Sequence, residues 1–476
     1  MHTFQKNRSN SFFALLSLPS TAMGFALSIQ ISALSWILTT QYKLDIHDVG
    51  LVWAAGPLAG ILGQVIIGII SDKVWFWNGR RRPFILIGGV LAALSLLALP
   101  NLHVISASLG VDGILGVAIA VALTLDLSIN VSFNPTRSLI ADVTDPGDER
   151  TKGYTWMQSI SGTFGVLAYA IGAVFDNYIL IYGGAVIVLL FSVVPTLFIT
   201  EPREIRNEPS ADSERETGAR GGEDSPISML VAIRPLWGFL AYDIYAMGRR
   251  LAGVEPADYY AEIACGVITV ILVIQAILEK SGRKADGLAA FRKVIAAHSF
   301  SWIGIQTTFV FLFAFLQQSM PQLSDIEMGR VGSMSFLVLN AVGALLPALV
   351  LMPMAKRIGR IKTHVVCMAF MTAGYVGLYL TASSPLQIYM LMAVLGIGWA
   401  AIVSLPFAIV SQKVSEARMG LYMGLFNLSV VLPQLVVSLG VALMISRAPD
   451  KSIIFAISAA SLALSTLAWS FVREDN

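Results

Sequence analysis

Charge is scarce in this chain. Asp, Glu, Lys and Arg together make up 13% of its 476 residues, where soluble domains carry about 25%. That shortage excludes a water-soluble enzyme or binding module. Cysteine is nearly absent: Cys265 and Cys367 are the two in the chain, both within apolar segments, so no disulfide framework is implied. The five histidines, His2, His47, His103, His298 and His364, are scattered without ligand spacing, which argues against a metal site. No Gly-x-x-x-x-Gly-Lys-[Ser/Thr] occurs, so ATP-driven transport by this chain is not expected either. No cofactor is called for. The net charge of +2 is confined to loops and points to no nucleic-acid partner.

What remains is hydrocarbon. The chain is 56% apolar, with a mean hydropathy of +0.72, and reads as an all-α polytopic membrane protein. Segments of about 20 residues, long enough to cross, lie near 12–39, 50–71, 83–101, 110–134, 155–176 and 178–200. A second set lies near 298–320, 331–354, 363–382, 386–411, 418–445 and 452–472. The first run is too long for a cleaved signal segment and is read as an uncleaved span. Between the sets, Glu201–Pro226 is polar and without periodicity, a solvated linker. Ile227–Met247 and Tyr259–Leu278 follow; they are read as two extra crossings, against the alternative of a helical pair lying on the membrane face. The expected organisation is an N-terminal six-helix bundle over 1–200, a linker and insert with an extra helical hairpin over 201–297, and a C-terminal six-helix bundle over 298–476. Arg234, Asp243 and Glu262 of the insert are expected to stand outside the site.

Basic residues set the orientation. Lys73, Arg80, Arg81 and Arg82 follow the second span, Arg150 and Lys152 the fourth, and Lys356, Arg357, Arg360 and Lys362 the eighth. The opposite loops Asn101–Leu109 and Ser383–Pro385 carry no Lys or Arg. Both termini are therefore expected in the cytoplasm.

One stretch, Leu125–Asp142, concentrates the chemistry. Asp126 sits deep in an apolar run, where an ionisable side chain by default faces a cavity. Asn130, Asn134 and Arg137 follow on nearly the same helical face, Arg137 about 16 Å further along the axis. Arg137 could instead snorkel to the headgroups, and Asp126 could be a structural bond between helices. Neither alternative accounts for acid, two amides and base on one stripe. Other polar or aromatic residues inside spans are Gln30, Trp302, Gln306, Asn340, Trp399 and Asn427, the amides and ring faces that a sugar site needs. Each alone is more often interhelical glue; their spread over both halves suits a midplane site.

The loop after the second span runs from Gly68 through Asp72 and Lys73 to Gly79-Arg80-Arg81-Arg82-Pro83-Phe84. Its counterpart in the second half contains Lys356, Arg357, Gly359 and Arg360. This pattern resembles the cytoplasmic loop motif of the major facilitator superfamily, in the longer form of the glycoside:cation symporters and plant sucrose–proton symporters and their bacterial relatives. Trp53–Gly60, Gly396–Phe407, Met423–Gln434 and Asp126…Arg137…Asp142 agree with it. The resemblance implies two six-helix bundles with pseudo-twofold symmetry and a multi-pass protein of the cell membrane, as in the bacterial inner membrane. It implies proton-coupled symport of a disaccharide or glycoside by alternating access, with Asp126 the coupling acid and Arg137 needed with it. Gly68, Asp72, Lys73, Gly79, Arg80, Arg81, Arg82, Asp142, Arg357, Gly359 and Arg360 would form the conformational loops. The expected partners are a sugar, a proton and the bilayer, with the protein acting as a monomer. Departures exist: Ser299–Met320 carries only glutamines beside Trp302, and Lys356 stands where the loop motif has an acid. Export of a more apolar compound, a membrane enzyme and a non-transporting receptor are the competing readings; the last would need no intramembrane acid.

Overall fold

The structure, a computed structural model, describes residues 8–60, 70, 74–145, 147–202, 226–254, 259–279, 286–414 and 419–473. All the named elements are helices. The first set is α1 (Asn10–Thr40), α2 (Ile46–Trp53), α3 (Arg82–Leu109), α4 (Leu115–Val143), α5 (Asp148–Val174) and α6 (Asn177–Phe198). The insert holds α7 (Pro226–Ala232), α8 (Trp237–Leu251) and α9 (Tyr260–Leu278). The second set is α10 (Asp286–Ser319), α11 (Asp325–Ile358), α12 (Arg360–Thr381), α13 (Pro385–Lys413), α14 (Met419–Val436, continued by a π turn to Arg447) and α15 (Ile453–Ser470). Twelve described helices are long and apolar enough to cross a membrane. They are eleven of the twelve expected spans together with α9; the rest of the second span lies outside the described residues, as do Gly68, Asp72 and Lys73.

Short polar signals start these helices. Asp45 caps α2 by accepting from the Asp48 N–H at 2.8 Å, and Ser324 and Glu327 form a reciprocal capping box on α11. Pro135 does not break α4, which runs unbroken through it. Small residues let the helices close up, since lipid provides no hydrophobic drive between them. A Cβ on Gly88 would stand 2.0 Å from Ser132 Oγ, and one on Gly89 would stand 2.1 Å from Ser192.

The two sets repeat one another. The pairings α1·α5, α1·α6, α3·α4 and α3·α6 recur as α10·α14, α10·α15, α12·α13 and α12·α15. Between the sets, α5 packs on α11 and α2 on α14, again a symmetric pair. This is two six-helix bundles related by a pseudo-twofold axis along the membrane normal. Helix α10 begins at Asp286, so its first turns lie within the stretch read from sequence as insert.

The face carrying Arg80–Arg82 is called here the basic face. Several hydrogen bonds joining the two sets sit at the face opposite it. Trp36 donates to the Asp325 carbonyl at 2.7 Å, the Ser32 and Ser333 hydroxyls are 2.6 Å apart, and Ser333 donates to Asn177 Oδ1 at 2.8 Å. On the other flank a Cβ on Gly50 would come within 2.6 Å of both the Ser438 carbonyl and Ala442, so α2 and α14 touch almost backbone to backbone.

The insert is an antiparallel pair. Arg249 meets Glu262 at one end (3.6 Å) and Arg234 meets Glu279 at the other (3.6 Å). Glu279 also takes Arg292 of α10 at 2.7 Å, near the basic face. At its far end α8 places Arg250 Nη1 2.7 Å from His47 Nε2 of α2, and Arg447 of α14 lies over the Tyr259 ring. The pair therefore runs from one face to the other alongside α10 and α14.

Candidate functional site

Asp126 lies midway along α4 and is 7% exposed. Its carboxylate accepts from Gln30 Nε2 at 3.0 Å, across 96 residues of sequence. A π turn at Gln30–Leu34 breaks the regular spacing of α1 at that residue, and such turns recur at functional sites. The other amide oxygen, Gln30 Oε1, is buried with no hydrogen-bond partner among the described residues. Gly56 of the second span faces the same carboxylate: a Cβ there would stand 3.3 Å from each oxygen. Without a side chain at Gly56 the second span packs closely against the buried carboxylate. An ionised group in this setting is expensive unless paired, and its one bonded neighbour in the set is a neutral amide.

Asn130 Nδ2 donates to the Asp126 backbone carbonyl at 2.8 Å. Arg137 is placed apart. It is exposed, its guanidinium lies 5.5 Å above the Phe133 ring, and its carbonyl accepts from Tyr154.

The second set contributes an aromatic wall. Trp302 and Trp399 meet edge to face at 6.2 Å, and Trp399 Nε1 donates to Asn340 Oδ1 at 3.1 Å. Trp302 Nε1 donates to His298 Nε2 at 2.9 Å, and His298 in turn stacks on Phe426 at 4.8 Å. Gln306 is buried and accepts from Gln434 at 3.3 Å. Asn427 is half-buried on α14. Tyr169, buried on α5, stands near Ser28 of α1 and Asn340 of α11, and its ring lies 6.1 Å from that of Phe336 of α11. It stands between the Gln30 neighbourhood and the tryptophan wall.

On the basic face, the carboxylate of Glu201 accepts the backbone N–H groups of three successive residues: Arg80 at 2.7 Å, Arg81 at 2.9 Å and Arg82 at 2.6 Å. These are the free donors at the start of α3. Gly79 makes room, since a Cβ there would stand 2.8 Å from Glu201 Oε1. The Arg81 side chain pairs with Asp142 at 3.2 Å, largely buried, and Arg82 donates to the Thr196 carbonyl. Gly359 turns the chain between α11 and α12 with φ +93°, a backbone state that suits glycine. Arg357 is exposed and Arg360 half-buried there.

Sequence reasoning passed over Glu201, Tyr169, Gly56 and His298. Glu201 had one available signal, an acid two residues after Ile199, the last apolar residue of a span. Tyr169 and His298 are single polar side chains in apolar runs, and nothing local separates them from ordinary core residues.

The family model described as "Major Facilitator Superfamily" matches residues 16–438. A sucrose transport protein of Arabidopsis thaliana is 23% identical, with 90% of this chain and 83% of that protein covered. A general alpha-glucoside permease of Schizosaccharomyces pombe is 32% identical over 174 residues, which is 33% of this chain and 31% of that protein. Among solved structures, the inward-open xylose transporter from E. coli superposes with a TM-score of 0.62 at 14% identity, covering 98% of this chain and 96% of its own.

Proposed function

Because the chain belongs to the Major Facilitator Superfamily, and its curated relatives carry the names of sugar transporters and permeases, we propose that it is a secondary active transporter. In this reading it carries a disaccharide or related glycoside together with a proton. The observation that carries the proposal is the Asp126 site: a carboxylate buried in mid-span, bonded among the described residues to one neutral amide, with Gly56 packed against it. Across the interface stand the rings and amides of Trp302, Trp399 and Asn340, with the Tyr169 ring between. Sugars take hydrogen bonds from amides and stack on ring faces. A protonated Asp126 crosses the bilayer without net charge, and opening to water on the far side lets it release the proton.

The seal at the face opposite the basic loops supports a carrier drawn in its inward-open state, with the basic face in the cytoplasm as the distribution of Lys and Arg requires. Return to the outward state would separate α5 from α11 and α2 from α14. In this reading both termini and the linker are cytoplasmic, the protein lies in the cell membrane, works as a monomer, and divides at 1–200, 201–297 and 298–476. Arg137, Gln306 and Asn427 retain assigned roles only as proposals, in coupling and in substrate contact.

The test is uptake of labelled mono- and disaccharides by cells lacking other carriers, with and without a protonophore. Asp126→Asn keeps the shape but cannot titrate. It should abolish uphill uptake driven by a pH gradient while leaving exchange of labelled for unlabelled sugar. Accumulation against a gradient by the mutant would move the proton site elsewhere. Uptake of no sugar, with retention of an apolar compound on inactivation, would favour export.

A further inference from the structure

A second acid sits in the membrane region, outside the site above. Asp243 lies in the middle of α8 and is 3% exposed, yet neither carboxylate oxygen has a hydrogen-bond partner among the described residues. By helical spacing it falls within about 20° of Arg250 two turns on, so the two share a stripe. Arg250 reaches His47 of α2, and Tyr242 and Ala246 of the same helix pack with Leu51 and Ala54 of the second span and with Leu435 and Leu439 of α14. Asp243 is thus sealed near the three-way seam of insert, second span and α14.

The ionisable groups on the surrounding elements are engaged elsewhere. Arg249 pairs with Glu262 of α9, and Arg292 of α10 pairs with Glu279. Arg447 of α14 lies over Tyr259, and Asp126 of α4 takes Gln30. Arg234 pairs with Glu279 as well; Tyr242 and Tyr245 on its own helix, Tyr260 and Cys265 of α9, Asp45 and Asp48 at the start of α2, Tyr422 of α14 and His298 and Lys293 of α10 are the others, and no ion pair joins a cation to Asp243 among the described residues. An ionised carboxylate without a partner in a dry seam is strongly disfavoured, so the closed seam requires the neutral acid.

We propose that Asp243 is a proton-binding site of the outer seam, filled from external water when the seam closes and emptied to external water when it opens. Closure forms the O–H bond on Asp243 and removes one proton from the outer medium; opening hydrates the carboxylate and returns that proton. No charge is carried across, so the proton-to-sugar ratio is set elsewhere. The consequence is a dependence of the inward/outward balance on external pH, with acid outside favouring the closed seam. The inference rests on the alternating-access reading above, and not on the substrate or on Asp126.

The test uses the full chain in right-side-out vesicles, with Cys265 and Cys367 replaced by Ser and a single reporter, Leu51→Cys, in the seam. The rate at which a membrane-impermeant maleimide labels the reporter, divided at each pH by its rate with a freely exposed cysteine because the thiolate is the reacting form, should rise with external pH by up to about tenfold per unit across one titration. Asp243→Asn, neutral in every state, should make that profile flat, and Asp243→Glu should restore it with a displaced midpoint. A flat profile in the parent overturns the proposal without any acid mutant, as does a profile that Asp243→Asn leaves unchanged or that Asp243→Glu fails to restore. The Asp126→Asn variant run in parallel should keep the seam profile while losing uphill uptake, which separates failure of this site from failure of the coupling reading.

Discussion

Replacing Glu201 should weaken the protein more than any other change to a surface loop. Its carboxylate takes three successive backbone N–H groups at the start of α3, at 2.6–2.9 Å for the shortest contact of each. A hydrogen bond to a charged group is worth about 1.5–3 kcal/mol, and a charge at a helix terminus about 0.3–2 kcal/mol. The three bonds share one partner and the site is half-buried, so they do not add in full. Glu201→Ala should cost about 2–4 kcal/mol, and Glu201→Gln, which keeps one accepting oxygen, about 1–2 kcal/mol. The assay is thermal unfolding of purified protein in one detergent, with initial uptake rates measured beside it. Gly79 provides the cross-check. A methyl at that position would stand 2.8 Å from Glu201 Oε1, so Gly79→Ala should destabilise the wild type and do so less once Glu201 is already Ala. Equal effects of Gly79→Ala in both backgrounds, or a Glu201→Ala protein melting with the wild type, would refute the cap.

Gly56→Ala puts a methyl 3.3 Å from both Asp126 oxygens; it should fold and yet shift the pH profile of uptake, and an unchanged profile would show that the close packing of Gly56 does not set the acid's titration. Gly50→Val forces α2 away from the Ser438 carbonyl and Ala442, each 2.6 Å from the added Cβ, and should raise labelling of a cysteine at position 51 from outside severalfold. In the loop before α15, the Ser452 hydroxyl and N–H bond Asp450 at 2.5 and 2.9 Å and hold its carboxyl below the usual carboxylate range. That stabilisation is complete above the ordinary carboxylate pKa and is lost as pH falls through the lowered one, so any melting difference between wild type and Ser452→Ala should be seen at neutral pH and shrink once pH falls below the ordinary carboxylate range.

How much of this was legible in the sequence depends on what each feature costs in hydrocarbon. A span of about 20 apolar residues announces itself, and the twelve expected segments coincide with helices wherever the residues are described. The same rule marked Asp126, because a lone acid in such a run is costly wherever its partner lies. The partner was not legible. Gln30 stands 96 residues away on a helix whose π turn begins at that residue, and no periodicity encodes a change of spacing. Glu201 was hidden for the opposite reason: beside a long polar linker an acid costs nothing, so its capping role is visible only once α6 brings it against α3.

Arg137 and Asp243 show how far the cost argument reaches. Both are ionisable residues inside or beside apolar segments, and helical spacing set Arg137 on the stripe of Asp126. The structure leaves Arg137 exposed, with its guanidinium above Phe133, whereas Asp243, on a helix expected to stand clear of the site, is buried and unpartnered. A long cationic side chain near the end of a span can lead its charge out to water. A short carboxylate in mid-helix cannot, and must either find a partner or hold a proton. The inference from burial to function is therefore stronger for Asp243 than for Arg137, although sequence position alone ranked them the other way.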